Sequence, residues 1–182
     1  MSDTVQGLVR VERLAPQGMI TLRGDLASTA VKNAATGVAG VDMPGQRQAL
    51  CVGERGLLWM SPDELAVLLP HDEAPQAVLT MQEALSGSHA LVADVSDARA
   101  HFRLTGPALR DVIAKLAPVD MDPAAMPVGM IRRTRFGQVA AGFWLRDADC
   151  AQVFCFASVA DYMHELLAHV SAPASAVGYF TR

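Results

Sequence analysis

The sequence predicts an α+β protein in which antiparallel sheets carry helices packed on one face. Pairs of short apolar or alternating segments are joined by turn residues, which is typical of β-hairpins, and a segment with helical periodicity follows each pair. This strand–strand–helix unit recurs about three times, and Ser or Thr-Gly stands at the start of each helical segment. Two pseudo-repeated ferredoxin-like halves are a natural way to close such an arrangement.

The first elements follow from turn and capping residues. Residues 1–18 mix charged and small side chains and predict a flexible arm. Residues 19–23 predict a short strand, and Asp25 is a good N-cap for a helix that runs to about Thr36. Residues 37–46 contain three glycines and one proline, so they predict a loop.

The next segment predicts a hairpin and two helices. Residues 49–52 and 57–60 are apolar segments on either side of a Gly-Glu-Arg-Gly turn. Ser61, Pro62 and Glu64 match a capping box and predict a helix over residues 64–69. A second helix is predicted over residues 74–85.

The remaining elements repeat the pattern. Residues 90–95 and 99–104 predict a strand pair, and residues 105–107 (Thr-Gly-Pro) open a helix. Residues 131–136 and 139–145 predict a hairpin around a glycine. The last predicted elements are a strand over residues 152–156 and a helix that begins at Ser158.

The domain prediction is one α+β domain over residues 19–182, preceded by the arm over residues 1–18. Residues 118–127 read PVDMDPAAMP and form the most proline-rich connection of the chain. We therefore expect two halves of the domain to join near residues 118–128.

Composition excludes several classes. With 182 residues, of which 51% are hydrophobic, the chain can bury a core without disulfides or a metal. A pI of about 5.7 argues against nucleic-acid binding, and no apolar run is long enough to cross a membrane. The three cysteines form no Cys-x-x-Cys pair and the N-terminus has no apolar leader, so we expect a cytoplasmic protein.

Motifs for catalysis and cofactor binding do not occur in the sequence. It has no Gly-x-Gly-x-x-Gly after a strand, no Walker A sequence and no Gly-x-Ser-x-Gly elbow. His164 and His169 are five residues apart, which places them roughly 140° apart around a helix. We expect two solvent-facing histidines, and no catalytic, cofactor-binding or metal-binding residues.

One charge cluster is a candidate binding site. Residues 131–146 contain Arg132, Arg133, Arg135 and Arg146 without an acidic residue. On a strand, Arg133 and Arg135 would project to one face and Arg132 to the other. Guanidinium groups suit an anionic ligand or an acidic partner surface. Pairing with the acidic residues of segment 61–97, which has no Lys or Arg, explains the cluster equally well.

Six short strings, in this order, resemble the gamma subunits of heterotetrameric sarcosine oxidases. They are Ile20-Thr-Leu-Arg-Gly24, Leu58-Trp-Met-Ser-Pro-Asp-Glu64, Asp94-Val-Ser-Asp-Ala-Arg-Ala100, Arg103-Leu-Thr-Gly-Pro107, Arg132-Arg-Thr-Arg135 with Gly137-Gln138, and Ser158-Val-Ala-Asp-Tyr162. The resemblance covers roughly residues 19–170.

The resemblance implies the folate-binding aminomethyltransferase fold and an accessory, non-catalytic role. The family's complex oxidatively demethylates sarcosine to glycine, produces hydrogen peroxide and passes the one-carbon unit to tetrahydrofolate. The resemblance places FAD, FMN, NAD, tetrahydrofolate and zinc on other subunits. It implies direct contact with the alpha subunit and assembly with beta and delta. The alternative is a stand-alone folate-binding one-carbon protein related to aminomethyltransferases.

Overall fold

The computed structural model describes residues 4–180, which form eleven strands and four α-helices in two antiparallel sheets. The strands are β1 (Thr4–Gln6), β2 (Arg10–Arg13), β3 (Gln17–Arg23), β4 (Ala49–Val52), β5 (Arg55–Ser61), β6 (Glu64–Pro70), β7 (Leu91–Asp94), β8 (Arg99–Thr105), β9 (Ile131–Phe136), β10 (Val139–Asp147) and β11 (Cys150–Phe156). The helices are α1 (Thr29–Ala39), α2 (Ala74–Ala84), α3 (Leu109–Ala114) and α4 (Ala160–Val170). None of these helices is long and apolar enough to cross a membrane.

The chain divides into two compact units, each with its own sheet. The continuous unit is Pro16–Asp97, and the split unit combines residues 4–15 with residues 98–180. The expected junction near residues 118–128 is therefore wrong, since the second unit begins at Ala98. The proline-rich segment lies within the split unit, where Met121 and Met126 belong to the core.

The continuous unit is a five-stranded sheet in the order β4-β5-β6-β3-β7, with α1 and α2 packed on one face. Its core residues alternate along the strands, as the pleat requires, with Ile20 and Leu22 on β3 and Leu65 and Val67 on β6. Met81 of α2 lies in the same core.

The split unit is a six-stranded sheet in the order β1-β2-β8-β11-β10-β9. Phe102 and Leu104 of β8 and Phe143 of β10 lie in its core, with Leu109 of α3 and Met163 of α4. Helices again cover one face, so the predicted fold class is confirmed.

The two units repeat one connectivity. In the continuous unit, β3-α1-β5-β6-α2-β7 gives the sheet order β5-β6-β3-β7. In the split unit, β8-α3-β10-β11-α4 gives the sheet order β10-β11-β8. Strand β2, from the N-terminal segment, completes this order beside β8, in the position that β7 occupies beside β3 in the other sheet. Both units are ferredoxin-like in this sense.

The predicted flexible arm is wrong for the residues that the structure describes, while residues 1–3 lie outside them. Val9 and Val11 are buried in the core of the split unit, with 1% and 0% of their surface exposed. Strand β2 pairs with β8, and Val11 lies opposite Leu104. The alternating residues of β2 could not be assigned a partner from sequence because that partner lies some ninety residues further along the chain.

The predicted helix over residues 64–69 is also wrong, since this segment is β6. Residues Leu65–Leu69 are all buried, and such a short apolar run fits a two-sided buried strand. Ser61 pairs with Glu64 across the β5–β6 turn, so the apparent capping box is a hairpin turn. The helix expected from Asp25 begins instead at Thr29.

Candidate functional site

The predicted arginine cluster lies on β9, an edge strand of the split unit. Arg133 and Arg135 are exposed and lie opposite Gly142 and Ala140 of β10. Arg132 is half-buried on the opposite, helix-bearing face, where its Nη2 donates a hydrogen bond of 3.4 Å to the Ala125 carbonyl. The strand therefore separates the three side chains as expected.

The sheet register extends this cluster across the strands. Directly paired residues of an antiparallel sheet share a face. The face that carries Arg133 and Arg135, here called the arginine face, also carries arginines from three other strands: Arg10 of β2, Arg99 and Arg103 of β8, and Arg146 of β10. The register also places two acidic residues on this face: Glu12, which pairs with Arg10 at 2.7 Å, and Asp147, which lies opposite Cys150 and, through it, on the face of Thr105 and Arg10.

The centre of the arginine face is aromatic and buried. The Phe154 ring lies 6.2 Å from the His101 ring and 6.3 Å from the Trp144 ring, measured between centroids. Gly142 makes room for it, since a Cβ at this position would lie 2.2 Å from Phe154 Cζ. The glycine therefore allows the phenyl ring to lie flat over β10.

Burial sets the protonation state of His101. Its side chain is 3% exposed, and desolvation, helped by the charge of Arg99, lowers its pKa to about 4. Both ring nitrogens lack a hydrogen-bond partner among residues 4–180. His101 is therefore a neutral core histidine at neutral pH.

One end of the arginine face presents an aromatic ring to solvent. Phe156 ends β11 with 50% of its surface exposed, and the Arg99 guanidinium carbon lies 4.1 Å from its ring centroid. This geometry is a cation–π contact. Burial raises the pKa of the adjacent Cys155 thiol to about 11, against the opposing effect of Arg13 and Arg99. The thiol is thus protonated and a poor nucleophile.

The acidic segment 61–97 has partners in its own unit. Asp63 pairs with Arg23 at 2.8 Å, Asp97 pairs with His71 at 3.0 Å, and Glu73 pairs with Arg55. The Ser61 hydroxyl and Arg23 hold the pKa of Asp63 below its usual range. Among the described residues, Arg135 takes part in no hydrogen bond or ion pair.

The two helix histidines do not form a site. His169 is exposed, but His164 is half-buried and its ring stacks on Phe102 at 6.2 Å, so the expectation of two solvent-facing histidines is half wrong. Across residues 4–180, no three His, Cys, Asp or Glu side chains are grouped so that they could hold a metal.

The continuous unit carries an open cleft of about 590 Å³ where β3 ends. The Arg23–Asp63 ion pair forms part of its wall. The remaining lining residues are Gly24, Asp25, His89, Ala90 and Leu91. Asp25 uses one carboxylate oxygen to accept the Ala27 N–H at 2.9 Å, so the polar groups of this cleft mainly stabilise the surrounding turns.

Sequence reasoning found part of the arginine face and missed the rest. The alternation of Arg99, His101 and Arg103 on one side of a strand is visible in the sequence. That these residues lie on the same face as Arg133 and Arg135 depends on the pairing of β8 with β11 and of β10 with β9. No motif or periodicity in the sequence predicts that Phe156 is exposed on this face.

Residues 23–173 match the model of the "Sarcosine oxidase, gamma subunit family". The sarcosine oxidase subunit gamma of Corynebacterium sp. (strain U-96) is 33% identical over 111 residues, which are 61% of this chain and 53% of that protein. The subunit gamma of an Arthrobacter species is 31% identical over 88 residues, 48% of this chain and 42% of that protein. These alignments thus span about half the length of the curated relatives.

Two solved structures share the fold. A heterotetrameric sarcosine oxidase from Corynebacterium sp. U-96, in complex with pyrrole 2-carboxylate, contains a chain that matches with a TM-score of 0.83 and 24% identity, over 96% of this chain and 90% of that one. The glycine cleavage system aminomethyltransferase T from Bartonella henselae matches with a TM-score of 0.63 and 13% identity, over 86% of this chain and 44% of that one. The fold expected from the sequence resemblance is therefore confirmed.

Proposed function

The chain belongs to the sarcosine oxidase gamma subunit family, and from this membership we propose that it is the gamma subunit of a heterotetrameric sarcosine oxidase. The observation that carries the proposal is the family match over residues 23–173, which includes the four α-helices and all the described strands except β1, β2 and most of β3. The fold shared with a chain of the Corynebacterium oxidase supports it.

The proposed role within the complex is accessory. The complex oxidises sarcosine to glycine, forms hydrogen peroxide and transfers the one-carbon unit to tetrahydrofolate. FAD, FMN, NAD, tetrahydrofolate and zinc are held by the other subunits, and this chain contributes contacts rather than chemistry. It acts in the cytoplasm, with the alpha subunit as its direct partner and beta and delta completing the assembly.

The arginines of β9 are the proposed contact residues. Arg133 and Arg135 are exposed on an edge strand, and arginine is favoured at protein interfaces because its planar guanidinium can form paired hydrogen bonds with carboxylates. Arg132 lies on the opposite face of the strand, where it donates a hydrogen bond to the Ala125 carbonyl. We therefore propose that it contributes less to the contact with the partner than Arg133 and Arg135 do.

Co-expression tests the proposal. The chain is produced together with the alpha, beta and delta subunits encoded in the same genome, with an affinity tag on alpha, and the purified sample is run on size exclusion. We expect this chain to co-elute with the oxidase in equal stoichiometry. An oxidase that is complete and active while this chain elutes separately would overturn the proposal.

Titration of the purified chain with tetrahydrofolate separates the accessory role from that of a stand-alone one-carbon protein. Calorimetry on the chain alone is expected to show no binding, because the folate site is assigned to another subunit. Saturable binding by the isolated chain would favour the stand-alone role instead.

A further inference from the structure

We propose that the cleft at the end of β3 binds a small zwitterion, an α-amino acid with an apolar side chain. Arg23 receives the carboxylate of this ligand, Asp25 its ammonium group and Leu91 its side chain. The inference goes beyond the proposed function and does not depend on it, because all three residues belong to the continuous unit of this chain.

The cleft is formed where three segments of the continuous unit meet. Arg23 ends β3 and lies opposite Leu91 of β7, so the two side chains share one face of the sheet. Gly24 follows in the turn, where its N–H donates to the Asp63 carbonyl at 3.0 Å and a Cβ would lie 3.3 Å from the Ala90 Cβ. These contacts bring a guanidinium group, a leucine and the turn carboxylates to one opening of about 590 Å³, a size typical of small-molecule sites.

The bonds that stabilise the turns leave several polar groups of this cleft without partners. Arg23 donates from Nη2 to Asp63 at 2.8 Å, and its Nε and Nη1 groups have no partner among residues 4–180. Asp25 accepts the Ala27 N–H through Oδ1 at 2.9 Å, while its Oδ2 accepts no hydrogen bond from the described residues. Within the same part of the chain, the His89 ring takes part in no hydrogen bond or ion pair. A ligand can therefore bind here without breaking the bonds of the turns.

The charges of the lining select the class of ligand. The cleft contains the guanidinium of Arg23 and the carboxylates of Asp25 and Asp63, and the Ser61 hydroxyl and Arg23 keep Asp63 ionised by lowering its pKa. The two carboxylates would repel a dianion such as a phosphate ester, and a simple amine would leave the guanidinium N–H groups without an acceptor. A zwitterion fits both signs, since its carboxylate matches the guanidinium and its ammonium group matches the free oxygen of Asp25.

Leu91 adds an apolar surface to the cleft. Its side chain is 53% exposed, whereas the next residue of the strand, Val92, is buried in the core. An alkyl group that covers Leu91 and the neighbouring Ala90 removes apolar surface from water. The cleft therefore favours an amino acid with a short alkyl side chain.

Nuclear magnetic resonance on the full chain tests the proposal. The isotope-labelled chain is titrated with L-alanine and with L-valine, and the amide signals of Gly24, His89 and Leu91 are followed. We expect saturable shifts of these signals, with L-valine as the tighter ligand. Isovalerate and isobutylamine, which are valine without its ammonium and without its carboxylate group, should each bind about tenfold more weakly or worse.

Matched variants test the two charged contacts. Asp25→Asn keeps an oxygen that can accept the Ala27 N–H but removes the charge, so it should weaken L-valine about tenfold without weakening isovalerate. Arg23→Gln should weaken L-valine to a similar extent without weakening isobutylamine. Asp72→Asn and Arg47→Gln change exposed residues of the same unit outside the cleft and should bind like the native chain. A folding defect would not produce this selectivity between ligands.

Three results would each overturn the inference. The first is the absence of saturable shifts at the cleft amides up to about 10 mM of either amino acid. The second is equal affinity for L-valine, isovalerate and isobutylamine, which would show apolar contact without recognition of charge. The third is unchanged affinity for L-valine in Asp25→Asn or Arg23→Gln. None of these results bears on the proposed function, which is decided by co-elution with the oxidase.

Discussion

At the scale of single residues, His101 shows how a polar side chain can belong to a core. It alternates with Arg99 and Arg103 on β8, and the sequence pattern places all three on the polar face of a half-buried strand. In the structure the flanking arginines are half-buried, whereas the imidazole is 3% exposed beside Phe154. Burial makes the neutral ring the stable form.

His101 therefore makes stability depend on pH. Its folded pKa of about 4 lies below the ordinary value of 6.5, so the unfolded chain takes up a proton first as the pH falls. The contribution of the neutral His101 ring to the free energy of unfolding is fully present above pH 6.5. It is lost as the pH falls from 6.5 to about 4, and the loss is about 3 kcal/mol at most. Urea unfolding of His101→Phe should show a flatter profile over this range, and His169→Gln, at an exposed position, should keep the native profile. Identical profiles for the native chain and His101→Phe would contradict the assignment.

Two glycines should respond to alanine in opposite directions. Gly142→Ala would place a Cβ 2.2 Å from Phe154 Cζ, so the ring must move, at a cost of about 1–3 kcal/mol. Gly37 lies within α1 and a Cβ there meets nothing within 4 Å, so Gly37→Ala should stabilise the chain by about 1 kcal/mol. Thermal melts of the two variants check this, and equal shifts would show that Phe154 does not require the glycine.

At the scale of elements, prediction succeeded where local periodicity was long or regular. The helix expected over residues 74–85 is α2, and the predicted 131–145 hairpin is β9 with β10. It failed at residues 64–69, because five consecutive apolar residues carry no periodicity that separates a helix from a buried strand. The pairing of β6 between β5 and β3 decides the matter, and pairing partners are not visible locally.

The C-terminal segment is held by two residues one turn apart near α3. The buried Asp111 carboxylate accepts the N–H groups of Tyr179 and Phe180 through Oδ1, at 3.0 and 3.2 Å. Lys115 Nζ donates to the Val170 carbonyl and to the Ser175 hydroxyl, both at 2.9 Å. No sequence pattern marks this segment as anchored, because the residues that hold it lie some sixty residues earlier in the chain.

Removal of the Asp111 carboxylate should release the end of the chain. Asp111→Ala leaves two N–H groups without their charged acceptor, at a cost of about 1.5–3 kcal/mol, and amide exchange of Tyr179 and Phe180 should accelerate. Asp111→Asn keeps one acceptor oxygen and should lose less. Asp161→Ala is the matched control, because this carboxylate is 89% exposed in its ion pair with Arg13 and should contribute within about 1 kcal/mol. Unchanged exchange in Asp111→Ala would show that the segment is held by packing alone.

At the scale of the whole molecule, the repeated connectivity explains why the first strands are needed. The sheet of the split unit would end at β8 without β2, and an open edge strand is a site for unwanted pairing. The fold class and the arginines of β9 could be predicted from the sequence, but the position of β2 could not, because its pairing with β8 joins the two separate chain segments that form the split unit. The arrangement of the arginine face could not be predicted either, because it too depends on which strands pair.

A pair of matched valine variants tests whether residues 4–13 are part of the core. Val11 is fully buried against Leu104, so Val11→Ala should destabilise the chain by about 2 kcal/mol through lost burial and the cavity that remains. Val52 is 72% exposed at the end of β4, and the same substitution there should change stability by no more than about 0.5 kcal/mol. Hydrogen exchange in β8 should rise in the first variant, since β2 protects that strand. If both variants unfold at the same denaturant concentration, the N-terminal segment behaves as the sequence alone suggested, as an arm outside the core.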